Sequence, residues 1–356
     1  MKQGAVPDER MHLATQEAWN LSHAVLLRIG YSAENAAIVS DHLLDAALCG
    51  YEYSGLPKIL EIAQAAKARL PTTPIRTLKD TPVSALLDGG NHVGMVSMFH
   101  ATQVAINKAQ AMGFALVGLT NSWMSGRSAF YVEQIARAGL VAIHTVSSAS
   151  LVAPHGGARP AVGTNPIAFG FPGEPNPLII DMGTSAFMAT ELGLYIRSNR
   201  LLPEGVAIDR HGQPTRDAAQ AREGSILPLA GHKGFALALA MKALGILAGS
   251  GLNEAKDYGY LIIAFKPDLL IPLDEFKAEL SQMIDRVKAT PRLAEVDEIR
   301  IPSERSFRER ERNRSAGIWI DRHILRSLEG LGVMDGANPI ARSPQPGHPV
   351  QRPKEK

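Results

Sequence analysis

Apolar positions recur along this chain with two periods, and their alternation predicts a mixed α/β fold. Spacings of three and four residues, often ended by glycine, predict helices at 12–29, 32–50, 58–70, 95–112, 128–138, 186–200, 234–248, 272–289, 305–314 and in a last segment ending near Leu331. Short apolar runs predict strands at 83–88, 115–120, 141–146, 167–171, 178–181, 260–265, 298–301 and 317–321. Helices and strands are interspersed after residue 70, which favours α/β over separate all-helical and all-strand domains.

These patterns predict four regions. Residues 1–80 form an N-terminal helical region, 81–255 a mixed-sheet region, and 256–334 a C-terminal α/β part that packs back on the core. Residues 335–356 are rich in proline and poor in apolar residues, which predicts a disordered tail.

The composition narrows the class of protein but does not indicate a function. The chain has 356 residues, 45% of them hydrophobic, and a formal net charge of +2, so no strong global field favours nucleic acid or a membrane surface. The single cysteine, Cys49, excludes an internal disulfide and fits a reducing compartment. Neither a secretory signal core nor a run of about 18 apolar residues is present. We therefore expect a cytoplasmic protein with no membrane and no nucleic-acid partner.

Several common binding motifs are missing. No two histidines flank a carboxylate at helical spacing and there is no cysteine pair, so we expect no metal site. There is no P-loop. The glycines of residues 89–94 also have the wrong spacing for a Rossmann dinucleotide fingerprint. A dinucleotide, if one binds, must bind on a different fold.

Three glycine-rich or polar stretches are candidate anion sites. Gly231–Gly234 opens an apolar helix and contains a lysine, while 181–185 lies between a predicted strand and a predicted helix. Free N–H groups at a helix start attract anions. The third candidate joins 152–157 to 163–166. Each has a plainer interpretation, respectively a glycine-rich helix entry, an N-cap and a pair of tight turns.

A basic helix at 305–314 raises the question of RNA binding. Glu304 and Arg308, like Arg305 and Glu309, stand four residues apart, the spacing of intrahelical ion pairs. Interleaved aromatic residues are missing, so a solvated, salt-bridged face is the favoured interpretation.

Taken in order, these stretches resemble one family, the type 2 malate/L-lactate dehydrogenases. This family includes ureidoglycolate, sulfolactate and diketogulonate dehydrogenases and Δ1-piperideine-2-carboxylate reductases. The matching segments are 88–90 with Gly94, 120–122, 153–157, 163–168, 180–185, 202–205, 231–234 and 301–305. The resemblance implies a non-Rossmann NAD(P)-binding fold and a homodimer whose active site lies near the subunit boundary.

The resemblance also implies one cofactor site for NAD or NADP. The residues expected to contact the cofactor are Ser148, Ile180, Asp181, Met182, Gly183, Thr184, Ser185, His232, Lys233, Ser303, Glu304 and Arg305. Arg305 and Arg308 suit the 2′-phosphate of NADP, but the same arginines suit a solvated helix. The choice between the two cofactors stays open at this point.

The chain departs from the family pattern at the catalytic end. The family usually carries Gly-x-Asp-Ser-His-Gly-x-x-Arg, and here Ser54 stands at the histidine and Lys58 at the arginine that binds substrate. A second family histidine aligns with Met124. Neither Ser54 nor Met124 offers a group that titrates near neutral pH, although carbonyl reduction needs a proton for the developing alkoxide.

Two main interpretations follow for the activity of this chain. We expect its substrate to be a small carboxylate. In the first, the enzyme is active with other groups: Tyr53 or Tyr51 supplies the proton, Lys58 binds the carboxylate and Glu191 favours a cationic imine. In the second, the chain binds cofactor but has lost the usual chemistry, with Ser54 and Met124 as plain structural residues. A third interpretation, a nucleic-acid or scaffold protein, would show salt-dependent RNA binding without cofactor binding.

Overall fold

The computed structural model describes residues 10–331, except 66, 67, 69, 198 and 252–257. The helices are α1 (Thr15–Arg28), α2 (Ala33–Leu48), α3 (Lys58–Gln64), α4 (Gly94–Met112), α5 (Ser128–Arg137), α6 (Ala189–Arg197), α7 (Ala218–Glu223), α8 (His232–Leu247), α9 (Leu273–Lys288), α10 (Glu304–Ala316) and α11 (Arg322–Gly330). The strands are β1 (Arg10–Leu13), β2 (Arg76–Thr81), β3 (Ser84–Asp88), β4 (Phe114–Thr120), β5 (Val141–Ser147), β6 (Ile167–Phe171), β7 (Leu178–Met182), β8 (Ala207–Ile208), β9 (Ser225–Ile226), β10 (Gly259–Phe265) and β11 (Ile318–Asp321). The predicted mixed α/β class is confirmed.

A seven-stranded sheet with the order β2-β3-β4-β10-β5-β6-β7 organises the fold. Strands β3 and β4 pair in parallel and are connected through α4, whereas the other neighbouring pairs in this sheet are antiparallel. A Rossmann fold needs a largely parallel sheet. The sheet therefore agrees with the missing glycine fingerprint.

The N-terminal helices form a second apolar core beside the sheet. Val25 of α1, Leu43 of α2 and Ile59 of α3 are fully buried in one cluster. Strand β1 pairs antiparallel with β11, so the two ends of the described chain meet at this core. The 3₁₀ helix Glu52–Ser54 follows α2 directly and carries the candidate catalytic residues.

Most predicted elements are present, and the exceptions have physical causes. The predicted strand at 298–301 is wrong, because Glu298 instead binds Arg308 of α10 and Pro302 follows without an N–H to donate. The third helix ends at Gln64 rather than at residue 70. Strand β2 was missed because its exposed, polar sequence shows no apolar alternation.

The predicted regions can be compared with the sheet. Strand β2 spans the boundary at 80/81, and β10 lies at the centre of the sheet although it follows the boundary at 255/256. The functional division into regions stays a prediction, and the predicted tail 335–356 lies outside the described residues. Within the described part of the chain, no helix has the length and apolar character needed to cross a membrane.

Candidate active site

The end of β7 and the start of α8 lie side by side and form the centre of the candidate cofactor site. The N–H of Leu229, just before α8, donates to Thr184 O at 2.9 Å. The N–H of Thr184 in turn donates to Thr164 O at 2.9 Å. Three stretches that are distant in sequence are therefore joined by backbone hydrogen bonds, as one contiguous site requires.

The start of α8 has the backbone shape of an anion cradle. Ala230 and Gly231 have φ values of 48° and 64°, after which the helix begins at His232. A Cβ on Gly234 would lie 2.3 Å from Leu229 O, so this position needs glycine. His232 and Lys233 are exposed, and their N–H groups stand in the first turn of the helix, where no intrahelical acceptor is available; the Gly234 N–H, by contrast, donates to Leu229 O at 2.8 Å. This arrangement fits a phosphate group.

Ser148 is linked to the middle of α8 by a buried asparagine. Asn165 Oδ1 accepts from the Ser148 N–H at 3.0 Å, and Asn165 Nδ2 donates to Ala238 O within α8 at 3.0 Å. A Cβ on Gly163 would lie 2.2 Å from Ser148 Oγ, so the two segments are in close contact. Asn165 thus connects the Ser148 segment to α8, a structural role that its motif alone did not reveal.

The 180–185 segment divides into exposed and engaged side chains. Ile180 is half-buried, Met182 is exposed and Gly183 is half-buried, whereas Thr184 and Ser185 are buried. The Thr184 hydroxyl donates to Thr164 O at 3.0 Å and the Ser185 hydroxyl to Phe187 O at 2.8 Å. Two of the predicted cofactor contacts therefore have hydroxyls already bonded within the protein.

Asp181 caps a helix, although not the helix that follows it in sequence. Its Oδ2 accepts from the Ala129 N–H at 2.8 Å, in the first turn of α5. Both a cap and a cofactor contact were open for this residue, and the structure shows a cap on a neighbouring element. The carboxylate also interacts electrostatically with Arg127, which precedes α5.

At the catalytic end, α6 brings Glu191 to the 3₁₀ helix of Tyr53 and Ser54. Burial raises the pKa of the Tyr53 phenol, and the carboxylates of Glu52 and Glu191 raise it further. Burial also raises the pKa of Glu191, against an opposing effect of Arg200. Tyr53 therefore keeps its proton at neutral pH and can serve as a donor. Ser54 is half-buried beside it.

The predicted carboxylate-binding lysine already has a partner. Lys58 Nζ lies 2.5 Å from Glu61 Oε2, one turn along α3, and the lysine side chain is only 6% exposed. Met124 is half-buried with a φ of 53° and packs against the helical core. As a methionine at the position of a family histidine, it offers no titratable group.

A buried ion network behind this site escaped the sequence analysis. Arg127 Nη1 lies 2.9 Å from Asp45 Oδ2, and Arg310 Nη1 lies 2.8 Å from Asp45 Oδ1. Arg310 Nη2 also lies 2.5 Å from Glu133 Oε1. The network joins α2, α5 and α10 to the loop before α5. Its members are far apart in sequence and belong to none of the motifs, so no local signal marks them.

His42 fixes the backbone of the loop before α5, which carries Arg127. Its Nε2 accepts from the Arg127 backbone N–H at 2.9 Å. Burial, together with the charge of Arg127, lowers the pKa of His42 to about 3. This histidine is therefore neutral at physiological pH and does not replace the family's proton donor.

The predicted 303–305 segment reaches the site through Arg305 alone. The Arg305 guanidinium carbon lies 5.2 Å from the centre of the Tyr51 ring, and that of Arg127 lies 4.6 Å from the same ring. Glu304 is engaged elsewhere, by Lys288 Nζ at 2.5 Å. Ser303 begins α10 with a φ of 67°. Tyr51 therefore joins the start of α10 to the 3₁₀ helix of Tyr53 and Ser54.

A mostly antiparallel sheet, a glycine-containing helix start with an exposed lysine, and a phenol near a carboxylate fit the class of dehydrogenases that bind a nicotinamide cofactor on a non-Rossmann fold. The sequence model of the malate/L-lactate dehydrogenase family matches residues 13–329. The chain belongs to this family, and it is an oxidoreductase, as the resemblance implied.

Individual relatives show the range of the family. L-sulfolactate dehydrogenase of Methanocaldococcus jannaschii is 32% identical over 87% of this chain and 95% of the relative. A Δ(1)-pyrroline-2-carboxylate/Δ(1)-piperideine-2-carboxylate reductase of Pseudomonas syringae pv. tomato is 31% identical over 85% and 91%. The solved structure of malate dehydrogenase from Pyrococcus horikoshii has a TM-score of 0.83 at 29% identity, covering 95% of this chain and 99% of that one.

Proposed function

We propose that this chain reduces small 2-oxo or cyclic 2-imino carboxylic acids with NADH or NADPH, and that it prefers the imino acids. The observation that carries the preference is the placement of Glu191 beside Tyr53, next to the serine that replaces the family's histidine. A carboxylate at this point attracts a cationic iminium by simple charge.

The chain's own residues suit an imine better than a ketone. A bound nicotinamide dinucleotide supplies the hydride. A 2-oxo acid that accepts it becomes an alkoxide, which needs a proton at once, whereas a protonated imine becomes a neutral amine. Ser54 is a poor acid, and Tyr53 has a raised pKa that weakens it as an acid. Glu191 can stabilise the iminium before the reaction, so the imine route makes the smaller demand on these groups.

The proposed cofactor site uses the cradle described above. His232, Lys233 and the α8 amides would hold a phosphate, and the 180–185 segment with Ser148 would hold the nicotinamide half. Arg305 lies against Tyr51, beside the 3₁₀ helix of Tyr53 and Ser54, so it suits the substrate end of the site better than a 2′-phosphate at the far end of the dinucleotide. The backbone hydrogen bonds that join residues 164, 184 and 229 support treating these segments as one site.

The test is a substrate screen with both reduced cofactors. Δ1-piperideine-2-carboxylate and Δ1-pyrroline-2-carboxylate should be reduced with a higher kcat/KM than pyruvate or oxaloacetate. Efficient reduction of the 2-oxo acids without imine reduction would contradict the preference and point to another proton donor. Cofactor binding with no turnover of either class would support a family member that has lost its dehydrogenase activity.

We further propose that the protein is a homodimer, formed in the cytoplasm, with α8 at the subunit boundary. The solvent side of α8 is apolar: Leu237, Leu239, Ile246 and Leu247 are 40%, 48%, 53% and 73% exposed. A helix that is apolar on every side normally lies buried. A second copy is the occupant that the resemblance implies, and the free, buried thiol of Cys49 suits a reducing compartment.

A further inference from the structure

The residue that the family pattern assigns to the substrate carboxylate is already neutralised in this chain. Lys58 Nζ is 2.5 Å from Glu61 Oε2, and the lysine side chain is 6% exposed. To bind Lys58, a substrate carboxylate would have to displace the Glu61 carboxylate, which belongs to the same helix and is always nearby. A guanidinium near the 3₁₀ helix could instead bind a second carboxylate beside its present partner, without displacing that partner.

Arg127 is such a cation, and it lies between the two halves of the candidate site. Its guanidinium carbon is 4.6 Å from the Tyr51 ring, directly before the 3₁₀ helix that carries Tyr53 and Ser54. It also interacts electrostatically with Asp181, near the end of β7. Arg127 is therefore close both to the candidate proton donors and to the candidate nicotinamide segment.

The Arg127 guanidinium is held in place without a substrate. Nη1 donates to Asp45 Oδ2 at 2.9 Å, and the backbone of the same residue is fixed by His42. The side chain is 11% exposed, and low exposure strengthens a charge-assisted hydrogen bond. A guanidinium has five N–H donors in a planar fork, so one nitrogen can bind Asp45 while others bind a second carboxylate.

Two guanidiniums lie against the Tyr51 ring, although Arg127 also faces the carboxylates of Asp45 and Asp181. Asp45 is shared, because its other oxygen binds Arg310 at 2.8 Å. Arg305, at 5.2 Å from the Tyr51 ring, places a second guanidinium on the same residue. A carboxylate arriving beside Tyr51 would therefore meet two arginines.

We propose that Arg127, rather than Lys58, holds the carboxylate of the substrate. The proposal rests on the proposed function, because it names the residue that orients the acid in that reaction. The carboxylate would be fixed beside Tyr51, with its neighbouring carbon toward Tyr53 and Glu191. Arg127 is then a specificity residue that selects 2-substituted carboxylic acids over the corresponding amides.

The experiment measures binding of oxalate, a small acid that hydride cannot reduce, to the full-length protein saturated with NADPH. Arg127→Lys keeps a positive charge beside Asp45 but loses the planar fork. It should weaken oxalate binding in titration calorimetry by about ten-fold or more, the usual effect of losing one charge-assisted bond. The NADPH dissociation constant should stay within about three-fold of wild type.

Two further variants complete the design. Arg76→Lys is the matched control, because Arg76 also binds a largely buried carboxylate, Asp88 at 3.0 Å, but on the distant edge strand β2; oxalate binding should not change. Lys58→Met tests the competing assignment and should weaken oxalate binding less than Arg127→Lys does. Arg127→Gln, which removes the charge, should weaken it at least as much as Arg127→Lys and provides a second variant if one folds poorly.

The outcomes separate this proposal from the proposed function. Unchanged oxalate affinity in folded Arg127 variants, or a larger loss in Lys58→Met, overturns the assignment. Wild-type protein that binds NADPH but not oxalate also overturns it and leaves the cofactor site intact. Wild-type protein that binds neither NADPH nor NADH contradicts the proposed function itself.

Discussion

At the scale of single residues, the structure shows the contacts of side chains whose roles the sequence leaves open. Asp181 was open to a cap or a cofactor contact, and it caps α5 through Ala129. Lys58 aligned with a substrate-binding arginine, yet it pairs with Glu61. Lys233, by contrast, is exposed at the helix start that its glycine neighbours predicted. The remaining question for each is energetic, and substitution can answer it.

Lys233→Ala tests the cofactor cradle. The variant loses a full positive charge at a helix start but leaves the glycine backbone unchanged. We expect NADH or NADPH binding to weaken about ten-fold or more, in line with one lost charge-assisted phosphate contact. Fluorescence titration measures this, and Lys266→Ala, outside the cradle, is the control. Equal affinities in the two folded variants would remove Lys233 from the site.

Ser54→His tests whether the missing acid limits reduction of 2-oxo acids. General acid catalysis typically contributes about 10²–10⁴-fold, so even partial restoration should raise kcat on oxaloacetate or pyruvate visibly. Ser54→Ala is the matched control and should give no increase. Steady-state kinetics on both substrate classes decides the matter. No gain in a folded Ser54→His variant with normal cofactor affinity would mean that the proton comes from another group, with Tyr53 the first candidate.

At the scale of elements, buried charges connect parts that motifs treat separately. Asp45 of α2 binds both Arg127, before α5, and Arg310 of α10, while Glu133 of α5 completes the set. The 3₁₀ helix, the Arg127 loop and the start of α10 are thus fixed relative to one another. This arrangement positions Tyr51 between Arg127 and Arg305.

Asp45→Asn should destabilise the protein strongly. Arg127 and Arg310 would keep their charges but lose a shared carboxylate, and breaking a buried ion pair typically costs about 3–5 kcal/mol. Urea unfolding gives the free energy directly. Asp80→Asn is the control: Asp80 pairs with Lys108 at 2.7 Å but is 65% exposed, so its loss should cost below about 1 kcal/mol. Similar losses in both variants would show that the network contributes little to stability.

The same elements show how far sequence analysis can go. Helix α8 and strands β4, β5 and β10 have strong apolar patterns, and the structure confirms them within a few residues. Strand β2 is polar and exposed, so no pattern marks it. The residues of the Asp45 network are spread from α2 to α10, and only the fold brings them together. A glycine-containing helix start is visible in local sequence, so sequence analysis could predict the one at Gly231–Gly234 but not the ion pair of Arg127.

At the scale of the whole molecule, the distribution of apolar surface suggests how the chain assembles. Helix α8 begins in the cofactor cradle at His232 and ends at Leu247, so its exposed apolar face extends directly from the candidate site. Covering this face with a second copy would place the subunit boundary beside the cradle. The chain's remaining highly exposed apolar residues include Leu270, which is 87% exposed in the short segment before α9.

The dimer prediction can be tested by placing a charge on each surface in turn. Light scattering on the wild-type protein at micromolar concentration should give about twice the monomer mass of 38.2 kDa. Leu247→Glu puts a carboxylate in the centre of a closely packed apolar contact, where an unpaired charge is costly, so it should shift the protein toward the monomer. Leu270→Glu makes the same chemical change at an even more exposed leucine and should leave the mass unchanged. A monomeric wild type with full activity would contradict the homodimer altogether. A wild-type dimer that dissociates in Leu270→Glu but not in Leu247→Glu would instead move the boundary from α8 to the segment before α9. If Leu247→Glu dissociates the dimer and also weakens NADPH binding, the subunit boundary and the cofactor cradle are energetically linked through α8.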